Sequence, residues 1–120
     1  MPYMIGGRQV QLQDEPRNMN GPIYVPLREL VEAIGGSASW DPGSKTAGAT
    51  LNGHHARVPN GSTAMDVDGQ QKSMSVPSMM DGDTFWVPIE FFGVAFGVPV
   101  YADTNTNTVT VDTSSMRAAA

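Results

Sequence analysis

The stretch Tyr24–Thr46, YVPLRELVEAIGGSASWDPGSKT, decides the fold. It opens on an aromatic and β-branched approach, Ile23-Tyr24-Val25, which suits a strand. Pro26 then stands where proline is welcome, at the first position of a helix, because the N–H it lacks would have had no partner there. Leu27, Leu30, Val31 and Ile34 fall at i, i+3, i+4 and i+7, one apolar stripe over two helical turns. Gly35 supplies the left-handed stop. Beyond it Ala38 and Trp40 alternate with polar residues, Asp41-Pro42-Gly43-Ser44 makes a turn, and Ala47, Ala49 and Leu51 alternate again, which predicts a hairpin. So short a helix must be stabilised by packing against a sheet.

The same signals recur downstream. Val25-Pro26 returns as Val87-Pro88, Gly35 as Gly97 and Asp41 as Asp103, each 62 positions later, while Pro16 and Gly21 return as Pro77 and Gly82, 61 positions later. The second passage, FWVPIEFFGVAFGVPVYADTNTNTVTV (Phe85–Val111), repeats strand, helix and hairpin. Upstream of each Val-Pro pair Val10 and Leu12, or Met74 and Val76, alternate with polar residues, and a turn cluster follows (Asn20-Gly21, Asp81-Gly82). The chain reads as an α+β protein of two pseudo-symmetric units, each a small antiparallel sheet packed around a short helix, in the order strand, strand, helix, strand, strand. Unit 1 spans 1–62 and unit 2 spans 63–113, sharing one core in one domain. The tail 114–120 carries no pattern and is read as a disordered tail or cloning remnant. The joining segment Asn52–Asp66 carries Asn-Gly turns and a short hairpin around Ala56 and Val58.

Composition agrees. At 120 residues a single domain is the default, burying roughly 65% of the surface its unfolded chain exposes. With 13 Gly and 9 Pro the chain asks for many turns, and the repeat explains them as one unit's turns written twice. No cysteine means no disulfide framework, no thiolate metal site and no cysteine nucleophile. Twelve acidic against seven basic side chains give a net charge of -5, without the basic footprint that nucleic-acid binding requires. Residues 1–60 balance at five of each sign; residues 61–120 hold seven acidic and two basic, so the whole charge lies in the second half. Apolar runs are far shorter than the ~18 residues of a transmembrane helix, and the N-terminus lacks a basic region followed by an apolar one.

On these residues the chain resembles the copper amine oxidase N-terminal-like, or stalk, domain family. Val25-Pro26-Leu27-Arg28, Glu32, Ile34-Gly35, Trp40-Asp41 and Lys45 match its repeated motif; in the second copy Val87-Pro88-Ile89, Phe96-Gly97 and Asp103 match. There Glu90 replaces the arginine and Tyr101 stands in for the tryptophan. The resemblance spans about residues 5–112 and implies a small antiparallel sheet wrapped around a helix. It also implies an extracellular or cell-surface bacterial location, with a signal peptide already removed, and no enzymatic activity of its own. The family's copper and quinone chemistry belongs to another domain, and the Asn-Tyr pair that precedes the quinone cofactor is missing here.

Candidate chemistry reads blandly. His54 and His55 are adjacent, so in extended structure they face opposite ways and cannot chelate one ion; they are read as a solvated loop. The pairs Asp66/Asp68 and Asp81/Asp83 and the run Asp103–Asn107 are read as turn chemistry, since the run lacks the glycine and terminal glutamate of a calcium loop. Met65, Met74, Met79 and Met80 are read as core filler. Glu29 and Glu32 read as a solvated helix face. No catalytic, cofactor-binding or metal residue is assigned. On a common helical wheel Glu29 becomes Phe91 and Glu32 becomes Val94, leaving Glu90 as the only charge between Pro88 and Gly97. Two readings follow for Phe91, Val94 and Glu90: a face covered internally, or an exposed patch that binds a second subunit or neighbouring module. Trp40, Tyr101 and Trp86 are placed in the core. The function expected is a non-catalytic stalk or docking module for protein (itself, as a homodimer, or a neighbouring module) or cell envelope. The alternative is a cell-wall glycan or other small-ligand binding module using exposed aromatics.

Overall fold

A computed structural model describes residues 3–18, 23–103 and 105–112. The chain runs β1 (Tyr3–Ile5), β2 (Arg8–Val10), β3 (Arg17–Asn18), β4 (Ile23–Pro26), α1 (Leu27–Ala33), β5 (Ser37–Asp41), β6 (Thr46–Leu51) and β7 (His54–Pro59). It continues β8 (Ala64–Val67), β9 (Gln70–Ser73), β10 (Met79–Asp81), β11 (Thr84–Pro88), α2 (Glu90–Phe96), β12 (Val100–Asp103) and β13 (Thr108–Val111). Mostly β with two helices, it is an α+β protein as the periodicity predicts.

Three sheets share the strands, in the orders β12-β13-β1-β2, β10-β11-β4-β3 and β5-β6-β7-β8-β9. Each contains strands from both sides of residue 62. In the middle sheet the two Val-Pro strands lie antiparallel with Val25 directly opposite Val87, and Trp86 opposite Pro26. In the first, β1 runs parallel to β13, Tyr3 beside Val109. These strands are 106 residues apart in sequence, so the N-terminal strand closes the sheet that the last hairpin begins. The joining segment carries the expected hairpin around Ala56, β7 pairing antiparallel with β8, but β7 is a six-residue strand at the centre of the five-stranded sheet rather than part of a linker. Its Ala56 and Val58 are buried, alternating with exposed His55 and Arg57.

Both helices are seven residues long. Helix α1 buries Leu27, Leu30 and Val31 fully and Ile34 almost so, the stripe its sequence dictates. Pro26 caps α1 rather than opening it, and Pro88 precedes the α2 cap, Ile89, so the prolines end strands one or two residues before helix begins. Gly35 (φ 98°) closes α1 as expected: its N–H donates to the Glu32 carbonyl and the Gly36 N–H to the Val31 carbonyl, the paired bonds of a Schellman stop. Gly97 (φ 68°) closes α2. The core is continuous, joining Tyr3, Ile5, Val25 and Val87 with Ala56, Val58, Met65, Val67, Met74, Val109 and Val111. Met65 and Met74 are thus core filler, while Met79 and Met80 are half-buried.

Candidate functional site

The helix patch read from the sequence does not survive folding. Phe91 is fully buried, its ring edge-on to Phe92 and to Phe96, each at 5.5 Å. Helix α2 packs against β7 and β9 on one side and β12 on another. Val94 is half-buried and lies beside His54, Asp68 and Lys72. The internally covered reading therefore holds for Phe91, and the exposed-patch reading is corrected. The cause is the rotation at which a carboxylate bond holds each helix. Glu29 Oε1 accepts the Asp14 N–H at 3.1 Å, and Glu90 Oε1 accepts the Ser75 N–H at 2.6 Å, each from 15 residues upstream. Each bond fixes the rotation of its helix, and the residue after the carboxylate, Leu30 in α1 and Phe91 in α2, is fully buried. One residue is about 100° on a helical wheel.

Glu90 also accepts the Ser75 hydroxyl at 3.0 Å, so it clamps the segment before β10 to the helix. Burial, followed by the neighbouring Asp14 carboxyl, raises the Glu29 carboxyl above its usual range, against the pull of the Asp14 N–H, which lowers it. Arg28 is exposed and pairs with Glu32 at 3.2 Å one turn on. Asp41 is a turn residue: its carboxylate accepts the Ser44 hydroxyl at 2.9 Å and the Gly43 N–H at 3.0 Å, which hold it below the usual carboxylate range. Asp103 likewise accepts the Asn105 N–H at 2.9 Å. Asp81 pairs with Arg17, whose guanidinium lies 4.2 Å over the Trp86 ring. Val25, Pro26, Leu27, Val87 and Pro88 are all buried, and so serve structure. The Asn20-Gly21 turn and the tail 114–120 lie outside the described residues, as does Thr104 in the Asp103–Asn107 turn.

His54 and His55 sit on β7, not in a loop. His54 Nδ1 meets Asp68 Oδ2 at 2.6 Å, while His55 Nδ1 meets the Thr50 hydroxyl at 2.8 Å. Asp68 also accepts the His55 N–H at 2.8 Å, and these two contacts hold its carboxyl below the usual range.

The aromatics divide differently from the sequence expectation. Trp86 is buried, its indole N–H without a partner among the described residues. Trp40 is 38% exposed and Tyr101 63% exposed, the two large apolar side chains at the described surface. Placing these two in the core is therefore corrected. Alternation on β5 puts Trp40 on the inner face, opposite buried Ala47, but β5 ends its sheet and leaves the ring partly uncovered; Tyr101 on β12 lies opposite Thr110, on the face away from buried Val109 and Val111. Trp40 leans on Phe85, ring centres 5.6 Å apart and tilted by 41°. Beside them opens a cleft of about 430 Å³ bounded by the α1 start (Leu27, Arg28), β5 (Ser39, Trp40) and the β10–β11 hairpin (Asp83, Phe85). Its size lies within the usual range of small-ligand sites, roughly 300–1,000 Å³.

One family model matches residues 4–111, nearly the whole chain: the copper amine oxidase N-terminal domain. The chain belongs to that family. A search of curated proteins finds no match. The matched domain is the non-catalytic N-terminal module of its family, not the oxidase domain. Copper itself does not fit here. The two histidines make separate contacts, and no group of three or more His, Cys, Asp or Glu side chains able to hold a metal ion occurs among the described residues. No helix among the described residues is long and apolar enough to cross a membrane.

Proposed function

We propose that this chain is a non-catalytic, extracytoplasmic docking module of a bacterial surface protein, and that it attaches to the cell envelope through the Trp40 cleft. One observation carries the reading: the described surface gathers a partly exposed indole, a second ring behind it and the unpaired Asp83 carboxylate around one concavity. Glu29, Glu90 and Asp41 are engaged by backbone N–H groups and Asp68 by His54, which speaks against a catalytic role for these four. We further propose that the two halves, 1–62 and 63–113, are copies of one unit folded into one domain. Support comes from the Val25–Val87 pairing and the matched clamps of Glu29 and Glu90. The strand orders add to it: β5-β6-β7-β8-β9 repeats β12-β13-β1-β2 with β7 inserted. The interlocked sheets suit a rigid spacer. The test is co-sedimentation with isolated bacterial envelope fragments. The chain is expected in the pellet at low protein concentration, and its retention in the supernatant would overturn the docking role.

A further inference from the structure

We propose that the occupant of the Trp40 cleft is a neutral saccharide; this rests on the docking reading and names its ligand. The cleft joins three chemical features. First, the Trp40 indole presents a flat, polarisable face, steadied from behind by Phe85. Second, the Asp83 side chain makes no hydrogen bond or ion pair among the described residues, so an acceptor carboxylate stands ready at the rim. Third, the Arg28 guanidinium borders the same space, its charge offset by Glu32 at 3.2 Å. A ligand that satisfies all three needs a flat face of C–H groups to lie on the indole and hydroxyl groups beside it, able both to donate to Asp83 and to accept from Arg28.

Other chemistries fit less well. A phosphorylated or otherwise anionic ligand would meet the Asp83 carboxylate on a chain of net charge -5. A cationic side chain could pair with Asp83 but offers no acceptor to the Arg28 guanidinium. A purely apolar group would strand the Asp83 carboxylate, which costs more than an aromatic contact returns. A pyranose ring carries both required surfaces and no charge.

The experiment titrates the full chain with four neutral tetrasaccharides (chitotetraose, cellotetraose, maltotetraose and xylotetraose) by calorimetry, with tryptophan emission followed in parallel. At least one is expected to bind saturably and shift the emission, because Trp40 is open to solvent while Trp86 is buried. Trp40→Ala and Asp83→Ala should each weaken binding about tenfold or more, the size of one stacking contact or one charged hydrogen bond. Tyr101→Ala, a more exposed aromatic outside the cleft, should leave it unchanged and controls for folding. Absence of binding to all four sugars overturns the saccharide. If Trp40-dependent envelope binding then persists, the docking role stands and the occupant is protein. Saccharide binding that is indifferent to Trp40→Ala overturns the site.

Discussion

Replacing Phe91 by alanine separates the two meanings that an apolar helix face can have. The ring is fully buried in α2 and meets Phe92 and Phe96 edge-on, both at 5.5 Å. Truncating a buried phenylalanine costs about 3–5 kcal/mol through lost transfer energy and the cavity left behind. Each edge-to-face pair adds roughly 0.5–1.5 kcal/mol to what is lost, so the upper part of that range is expected. A chain of this length has a total stability on the order of 6–18 kcal/mol, at ~0.05–0.15 kcal/mol per residue, so Phe91→Ala should consume a large share of it. Urea unfolding followed by far-ultraviolet circular dichroism reads the change as a fall in midpoint at unaltered slope. Val94→Ala, which shortens a half-buried side chain on the same helix, should cost well under about 1.5 kcal/mol. Light scattering during gel filtration should give the same mass for all three proteins. A Phe91→Ala protein with wild-type stability but a changed mass would refute the packing argument and restore the interface.

Further outcomes follow from single positions. Gly36→Ala should destabilise by about 1–3 kcal/mol in the same urea assay, because an added Cβ would overlap the Thr50 carbonyl oxygen and stand 2.8 Å from Val31 Cγ1. Glu29→Gln should hold the Asp14 N–H while removing a charge whose carboxyl is raised by burial. A raised carboxyl favours the folded state when protonated, and that advantage is lost as pH rises through its folded value. Thermal melts should therefore show the glutamine variant gaining on the wild type from pH 4 to pH 7, and a variant that loses ground with rising pH would contradict this sign. Asp68, lowered by His54 and the His55 N–H, works the other way. Its contribution is present above the ordinary aspartate value near ~3.9 and is lost as pH falls through the lower folded value, so Asp68→Asn should flatten that part of the acid limb. Finally, fragments 1–62 and 63–113 should each be unfolded alone and regain strand-type circular dichroism when mixed, since every sheet draws strands from both. A fragment that folds by itself would break the interlocked arrangement.

Much of this architecture was legible in the residues. The spacing of Leu27, Leu30, Val31 and Ile34 and the stop at Gly35 specify α1 because a helix has one period and one common way to end. The alternation around Trp40 and Ala47 specifies the β5–β6 hairpin in the same way. What was hidden has physical causes. Strand β1 is three residues long and gains its meaning only beside β13, a pairing that no local pattern records. Strand β7 begins with two histidines and ends in proline, so its central place comes from neighbours on both sides. The orientation of Phe91 depended on the rotation at which the Glu90 bond holds α2, invisible until the Glu29 and Glu90 clamps could be compared. The site was half legible: Trp40 stood out in the sequence, but alternation states which face a ring takes and not whether anything lies over it. Phe85 and Asp83, on a hairpin more than 40 residues away, complete the cleft by tertiary packing alone.

Docking through the Trp40 cleft is tested most directly by pelleting the chain with bacterial envelope fragments alongside its Trp40→Ala and Tyr101→Ala variants. Wild type and Tyr101→Ala are expected in the pellet and Trp40→Ala in the supernatant. Equal sedimentation of all three, or loss with Tyr101→Ala but not with Trp40→Ala, would contradict the assignment.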